Sequence, residues 1–412
     1  MRSRTSFLRF ATPLFWICCY GAAPTDDIVK GVVHGVQEES MDIAQAVSVL
    51  ADVLAEAQAT ATPTSPAEVQ SIISSILAAQ PTANVVTNAV ELIQNGLDAA
   101  DPVHNIVGQF DSRINSYNNS NPDPPVNVYP KSSLDAPYSV PEEQLRAAIY
   151  IPEDFSYGAN GKQPVILAPG TCTYGGAVNS EYVAYALNYV SAISGGGNVS
   201  IITWSQGSLN MQWTLTFWPS TRRVVSDFIS MAGEFDGSFF FDVLCPSFPA
   251  IPCNPSFLQQ RYKSTFVKTL RAHGGDSAYV PTTTIHSSTD NVILPETGTA
   301  ASGYILDARG VGVSNNEFQA LCPLQPAGSV YTHEGTLYNP VGWALTVDAL
   351  THDGPADASR LDLTSLCQGL VAEGLSLQDV VATESIWVLI VYKYLLHFPK
   401  VTTEPLIKQY AH

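Results

Sequence analysis

The β-branched, apolar run Val199-Ser200-Ile201-Ile202 leads directly into Thr203-Trp204-Ser205-Gln206-Gly207, and Ser208-Leu209-Asn210-Met211-Gln212-Trp213 follows with the character of a helix start. Buried parallel strands read as such continuous apolar runs. A strand that turns sharply into a helix around a serine is a G-x-S-x-G-like arrangement. The turn lifts the hydroxyl out of the sheet, and the helix N-terminus presents backbone N–H groups to a developing oxyanion. Thr203 stands where the first glycine of that pattern usually sits. By itself the pentapeptide is also compatible with an ordinary loop serine.

A serine hydroxyl is a weak nucleophile and needs an imidazole to take its proton, with a carboxylate to fix the imidazole tautomer. On this architecture the order is Ser, then Asp or Glu, then His. Pro281-Thr282-Thr283-Thr284-Ile285-His286-Ser287 reads as a strand, and Ser288-Thr289-Asp290 puts an acid beyond its carboxyl end, where α/β sheets carry functional groups. Tyr331-Thr332-His333-Glu334-Gly335 sets a histidine in a segment that reads as polar and flexible. Six of the eight histidines follow Ser205, so order alone does not select His333. His273, His286 and His352 compete as surface or hydrogen-bonded structural histidines.

These motifs, with Leu167-Ala168-Pro169-Gly170-Thr171 and Leu215-Thr216-Phe217-Trp218-Pro219, resemble those of the Candida antarctica lipase B family. The likeness runs from about Pro130-Lys131-Ser132 to Tyr410-Ala411. The resemblance implies an α/β-hydrolase fold with a mostly parallel sheet, Ser205 as nucleophile, Asp290 as orienting acid and His333 as general base. It further implies an oxyanion hole from Thr171 and the backbone N–H of Gln206. Trp204 would wall the alcohol side, Glu234 would match a carboxylate beside the site, and Gln260 a polar acyl-pocket residue. Read from the sequence alone, Glu234 is a solvated surface acid, and plain core packing is the alternative for Trp204. The resemblance also pairs Cys322 with Cys367 and lays a helix beginning near Ile386 over the acyl channel. One departure stands out: between Thr171 and Ser205 about one βα unit, roughly 30 residues, is missing relative to the family. This is either a real deletion or an error in gene assembly, and it implies a gap in the sheet and a reduced pocket wall.

The chain has 412 residues, a net charge of −18, 45% apolar and 14% charged residues. Such acidity excludes a general nucleic-acid binder, which must neutralise phosphates. No P-loop, G-x-G-x-x-G, H-E-x-x-H or paired C-x-x-C occurs, so no metal or other cofactor is expected. Arg2, Arg4 and Arg9 precede a mostly apolar stretch from Phe10 to Tyr20, and Gly21-Ala22-Ala23 supplies small residues, so residues 1–23 read as a secretory signal peptide. Beyond it, Cys172, Cys245, Cys253, Cys322 and Cys367 remain, and an oxidising compartment permits Cys245 to pair with Cys253 across a proline-containing loop. Cys172 is then left over.

Residues 24–117 read as a helical, acidic N-terminal region, with Ile43, Val47, Leu50, Val53 and Leu54 at helical spacing. Ser65-Pro66-Ala67-Glu68 has the form of a capping box, and a third amphipathic segment runs from Val85 to Leu92, ending near Gly96. The region is either a pro-segment or a solubilising extension, expected to lie against the hydrolase domain and outside its sheet. Residues 118–130 form a Pro- and Asn-rich linker, and Asn118-Asn119-Ser120 is a glycosylation acceptor there; Asn198-Val199-Ser200 is a weaker one. Residues 131–412 form the hydrolase domain. Ser238-Phe239-Phe240-Phe241 and Phe248-Pro249-Ala250-Ile251-Pro252 suit either core or transient contact with a lipid interface. The apolar run from Ile386 is too short for a transmembrane segment, which needs about 20 residues. The expectation is a secreted, extracellular lipase or carboxylesterase acting on lipid or small ester substrates. The alternative is a hydrolase-like binding protein disabled by the loss before Ser205. Protein partners are not legible.

Overall fold

The computed structural model describes residues 57–79, 85–97, 116–155, 163–170, 176–245, 253–388 and 400–412, with isolated positions between 40 and 53 and at 390. The signal-like residues 1–23, Thr171, Cys172 and the Phe248–Pro252 stretch lie outside the described residues.

Five strands form one parallel sheet in the spatial order of the sequence: β1 (Val165–Ala168), β2 (Val199–Trp204), β3 (Val225–Met231), β4 (Thr282–His286) and β5 (Val313–Glu317). Parallel strands need covered faces, and side chains alternate between them. Phe228 of β3 joins the cluster formed with Tyr185, Leu187, Met211 and Leu215. Those four belong to α3 (Gly176–Ile193) and α4 (Gln206–Phe217). Its neighbours Ile229 and Met231 join the opposite cluster, with Val341 and Leu345 of α5 (Pro340–Thr351). The result is a three-layer α/β/α arrangement.

The N-terminal region adds α1 (Pro66–Ala79) and α2 (Val85–Gln94) and, among the described residues, no strand of the sheet. Val69, Ile73 and Ile76 of α1 and Val90 and Ile93 of α2 are buried in the same cluster as Phe240, Val380 and Trp387. The surface that receives α1 includes α6 (Leu377–Glu384). At the start of α1, Glu68 N–H donates to Ser65 Oγ at 3.3 Å, but the Glu68 carboxylate returns to Thr64 N–H at 2.8 Å and not to Ser65. The box is thus displaced by one residue at its return leg.

The expected gap in the sheet is not there. β1 pairs directly with β2, Val165 opposite Ser200 through Ala168 opposite Thr203. With that pairing kept, a βα unit inserted between them in sequence would join the sheet at an edge. The free edge of β1 carries Leu167, 74% exposed, and Val165, 39% exposed. β1 is thus an edge strand, and the sheet from β1 to β5 is continuous. Cys245–Cys253 and Cys322–Cys367 are both disulfides.

Candidate active site

β2 ends at Trp204, and the chain reverses through Ser205 into α4. Ser205 has φ 57° and ψ −129°, a conformation sparsely used by residues with a side chain and costing on the order of 1–3 kcal/mol. Its N–H donates to Met231 O at 3.0 Å, tying the turn to β3. Gly207 makes the turn sterically possible: a Cβ there would lie 2.7 Å from Pro169 O and 2.8 Å from Ala168 O. Thr203 has no such crowding to avoid. It is still in the strand, and its hydroxyl is 2.7 Å from Ser208 Oγ in the first turn of α4, with Ser230 Oγ donating to the same Ser208 oxygen at 2.8 Å. That buried hydroxyl chain accounts for threonine at the first glycine position. Gln206 is the first residue of α4, so its N–H has no acceptor within the helix.

Asp290 follows β4 on a tight loop, and its N–H donates to Ser287 O. Its Oδ1 accepts the N–H groups of Val292 and Ile293, both at 2.8 Å, and its Oδ2 accepts His333 Nδ1–H at 2.8 Å. The acid is thus aimed by two backbone amides, and the tautomer that donates from Nδ1 leaves Nε2 with a lone pair. The histidine segment is not a flexible loop: residues 331–336 are all buried. Asn291 Oδ1 accepts the N–H of His333 at 3.1 Å, and Trp204 Nε1–H donates to the His333 carbonyl at 3.3 Å. The Trp204 and His333 rings stack at 4.8 Å. Burial disfavours a charged ring at His333, but the charge and hydrogen bond of Asp290 outweigh it, with Glu334 adding in the same direction, and its pKa moves upward.

Nε2 of His333 is buried and has no partner, and no hydrogen bond joins it to Ser205 Oγ among the described residues. Ser205 and His333 are nonetheless neighbours through Trp204, which precedes one and stacks on the other. Unliganded sites often hold this link open.

Thr171 lies outside the described residues, which leaves Gln206 as the described half of the expected oxyanion hole. Glu234 is not a surface acid. It is fully buried beyond the end of β3, neither carboxyl oxygen has a partner, and desolvation followed by the charge of Asp290 pushes its pKa well above the carboxylate range. Gln260 is also buried, its amide donating to Ser256 O at 3.0 Å. His286 is neither a surface nor a hydrogen-bonded histidine: it is 3% exposed, neither ring nitrogen has a hydrogen bond, and Nε2 lies 4.0 Å from Glu317 Oε2. His273 and His352 are, as expected, structural, bonded to Thr269 O and Asp348 O.

Sequence reasoning passed over four residues near the site. Asn291 anchors the histidine backbone. Glu296 is fully buried, and burial together with Asp290 pushes its pKa well upward. Glu334 and Glu384 are both wholly buried, raised by burial to about 7 and about 8. Only Glu334, beside His333, carried a signal. The disulfide Cys322–Cys367 brackets this segment in sequence, and Ala327 N–H donates to Cys367 O at 3.0 Å.

No family model matches the chain. Among curated proteins, Lipase B of Pseudozyma antarctica is 32% identical over 214 residues, a stretch covering 51% of this chain and 58% of that protein. The alignment thus spans little more than half the length of that curated relative. Among solved structures, Aspergillus fumigatus lipase B matches with a TM-score of 0.82 and 41% identity, over 93% of this chain and all of that one.

Proposed function

Because the chain belongs to the lipase B family and has its α/β-hydrolase fold, we propose that it hydrolyses carboxylic esters through an acyl-enzyme formed on Ser205. Its Oγ attacks the ester carbonyl while His333 Nε2 takes the hydroxyl proton, and Asp290 stabilises the imidazolium that results. The carbonyl oxygen gathers negative charge near the Gln206 N–H, with Thr171 as the proposed second donor. His333 returns the proton to the departing alcohol. Water then adds to the acyl-enzyme with His333 again as base, releasing the carboxylic acid and restoring Ser205.

The observation that carries this reading is the buried Asp290–His333 pair at 2.8 Å, with its Nε2 open beside a serine in a strained turn. Lipid or small esters are the proposed substrates. Phe239 and Val243, 46% and 58% exposed on one short helix, support contact with a lipid interface. The two disulfides support secretion, since such bonds persist in oxidising compartments. Asn118 is exposed, as a glycosylated residue in the linker needs to be.

Hydrolysis of p-nitrophenyl esters by the wild type and by Ser205→Ala tests the proposal. The variant should lose at least about a thousandfold in kcat/KM, since removing the nucleophile of such a triad disables the whole unit. Equal, background-level rates would remove the enzymatic reading. The open Ser205–His333 link is the one feature that favours the binding-protein alternative. Ester binding by the wild type without turnover would establish that alternative.

A further inference from the structure

Glu384 ends α6, about fifty residues beyond His333 in the chain, and is 2% exposed. Its carboxyl group grips the histidine segment on both sides of the imidazole. Thr332 Oγ1 lies 3.0 Å from one carboxyl oxygen and 3.1 Å from the other, and Tyr338 O–H donates to Oε1 at 2.8 Å. Thr332 Oγ1 in turn accepts Gly335 N–H at 2.8 Å, closing the turn that follows His333. The residue before the base, the turn after it and a tyrosine five residues on are therefore held by one buried group. Thr332, His333 and Tyr338 are themselves at most 5% exposed.

A carboxyl group is a costly way to fill such a space. Burial, with Glu334 nearby, raises its pKa to about 8, while Tyr338 and Thr332 act in the opposite direction. An aliphatic side chain of similar size would pack there without that cost. What it would not do is satisfy the hydroxyls of Thr332 and Tyr338, which have to stay fixed if the ring between them is to stay fixed. Catalytic groups need to be held within about 0.5 Å and 10–20° of the productive geometry by a surrounding shell.

We propose that Glu384 is a positioning residue for the catalytic base, holding Thr332 and Tyr338 so that His333 keeps its bond to Asp290 and turns Nε2 toward Ser205. It touches no substrate and acts only through His333. The proposal rests on the hydrolase reading given above. It also links α6, which α1 packs against, to the geometry of the base.

The experiment compares wild type, Glu384→Leu, Glu384→Gln and Thr332→Val on a soluble p-nitrophenyl ester, with rates normalised to serine titrated by an organophosphonate. Glu384→Leu should lower kcat about 10–100-fold with KM little changed, the scale of loss for a base displaced by about 1 Å. Glu384→Gln, which keeps an acceptor for the two hydroxyls, should retain a third or more of kcat. The low-field proton resonance of His333 Nδ1–H, bonded to Asp290, should broaden or move upfield in Glu384→Leu and stay near the wild-type position in Glu384→Gln. A Glu384→Leu enzyme with wild-type kcat and an unmoved resonance would reduce Glu384 to packing and overturn the proposal. If Glu384→Leu does not fold, Thr332→Val decides: it keeps the side-chain shape, removes the hydroxyl and should lower kcat, and an unaffected kcat overturns the proposal. A wild type with no esterase activity would remove the hydrolase reading instead, and the proton resonance would still report on the clamp.

Discussion

Gly207 and Thr203 occupy the two glycine positions of one motif, and the backbone geometry treats them oppositely. At Gly207 a methyl group would press on two carbonyl oxygens of the chain leaving β1, at 2.7 and 2.8 Å, and backbone atoms have nowhere to give. Gly207→Ala should therefore displace the Ser205 turn, lowering kcat/KM at least about tenfold, while the fold is destabilised by roughly 1–3 kcal/mol, the usual cost of overpacking. Ester kinetics and a thermal melt check both numbers, and a variant with wild-type kinetics would show that the turn has slack. Thr203 faces a hydroxyl chain and needs no glycine. The candidate triad was legible because the chemistry asks for a serine, an acid and a histidine in that chain order, and the family resemblance chose His333 among the histidines that follow Ser205. Glu234, His286 and Glu384 were not legible, because whether a titratable side chain is buried depends on what folds over it. Glu234 sits behind a strand end that the sequence alone leaves open to solvent. Glu384 reads as one more polar position in a short helix.

Among the elements, strands were easiest to read where both faces are covered. Val199 to Ile202 and Thr282 to Ile285 are runs dominated by β-branched residues, and both belong to interior strands. β1 misled at the level of topology: its residues gave the strand, but only the pairing shows that no gap separates it from β2. Helices α1 and α2 form where the capping pattern and the apolar spacing predict them, whereas the segment from Ile43 to Leu54 lies, apart from isolated positions, outside the described residues. The partner surface was not legible, since it is assembled from α6 and the apolar residues Phe240 and Trp387, far apart in sequence. Val69, fully buried at the centre of the α1 face, offers a test of that packing. Val69→Asp would bury an unpaired charge or expose the surface it covers, at a cost of about 3 kcal/mol or more. The expected result is a melting temperature lower by several degrees and new binding of a hydrophobic dye, even though no residue of the sheet is altered. An unchanged melt would mean that α1 contributes little to holding the molecule together.

For the molecule as a whole, the buried carboxyls set how stability depends on pH. Glu234, Glu296, Glu334 and Glu384 are all fully buried, and desolvation raises the pKa of each, to about 7 for Glu334 and about 8 for Glu384. In the unfolded chain the same groups ionise near 4.5. Between those values the folded state binds protons that the unfolded state has already released. Their contribution is fully present below about pH 4.5 and is lost as pH rises through the folded values, at about 1.4 kcal/mol per pH unit for each group inside its window. Thermal stability should therefore decline from about pH 5 to pH 9. The net charge of −18 also favours unfolding, but that repulsion is largely between exposed groups and is screened by salt, whereas the buried carboxyls are screened much less. Melting curves from pH 5 to 9 at low and at moderate salt separate the two causes. Glu384→Gln removes one titration and keeps its acceptor, so its melting temperature should match or fall slightly below wild type at pH 5 and exceed it at pH 9. Curves for wild type and Glu384→Gln that stay parallel across this range would mean that Glu384 is already ionised in the folded protein. The decline in stability would then have to come from the other buried acids.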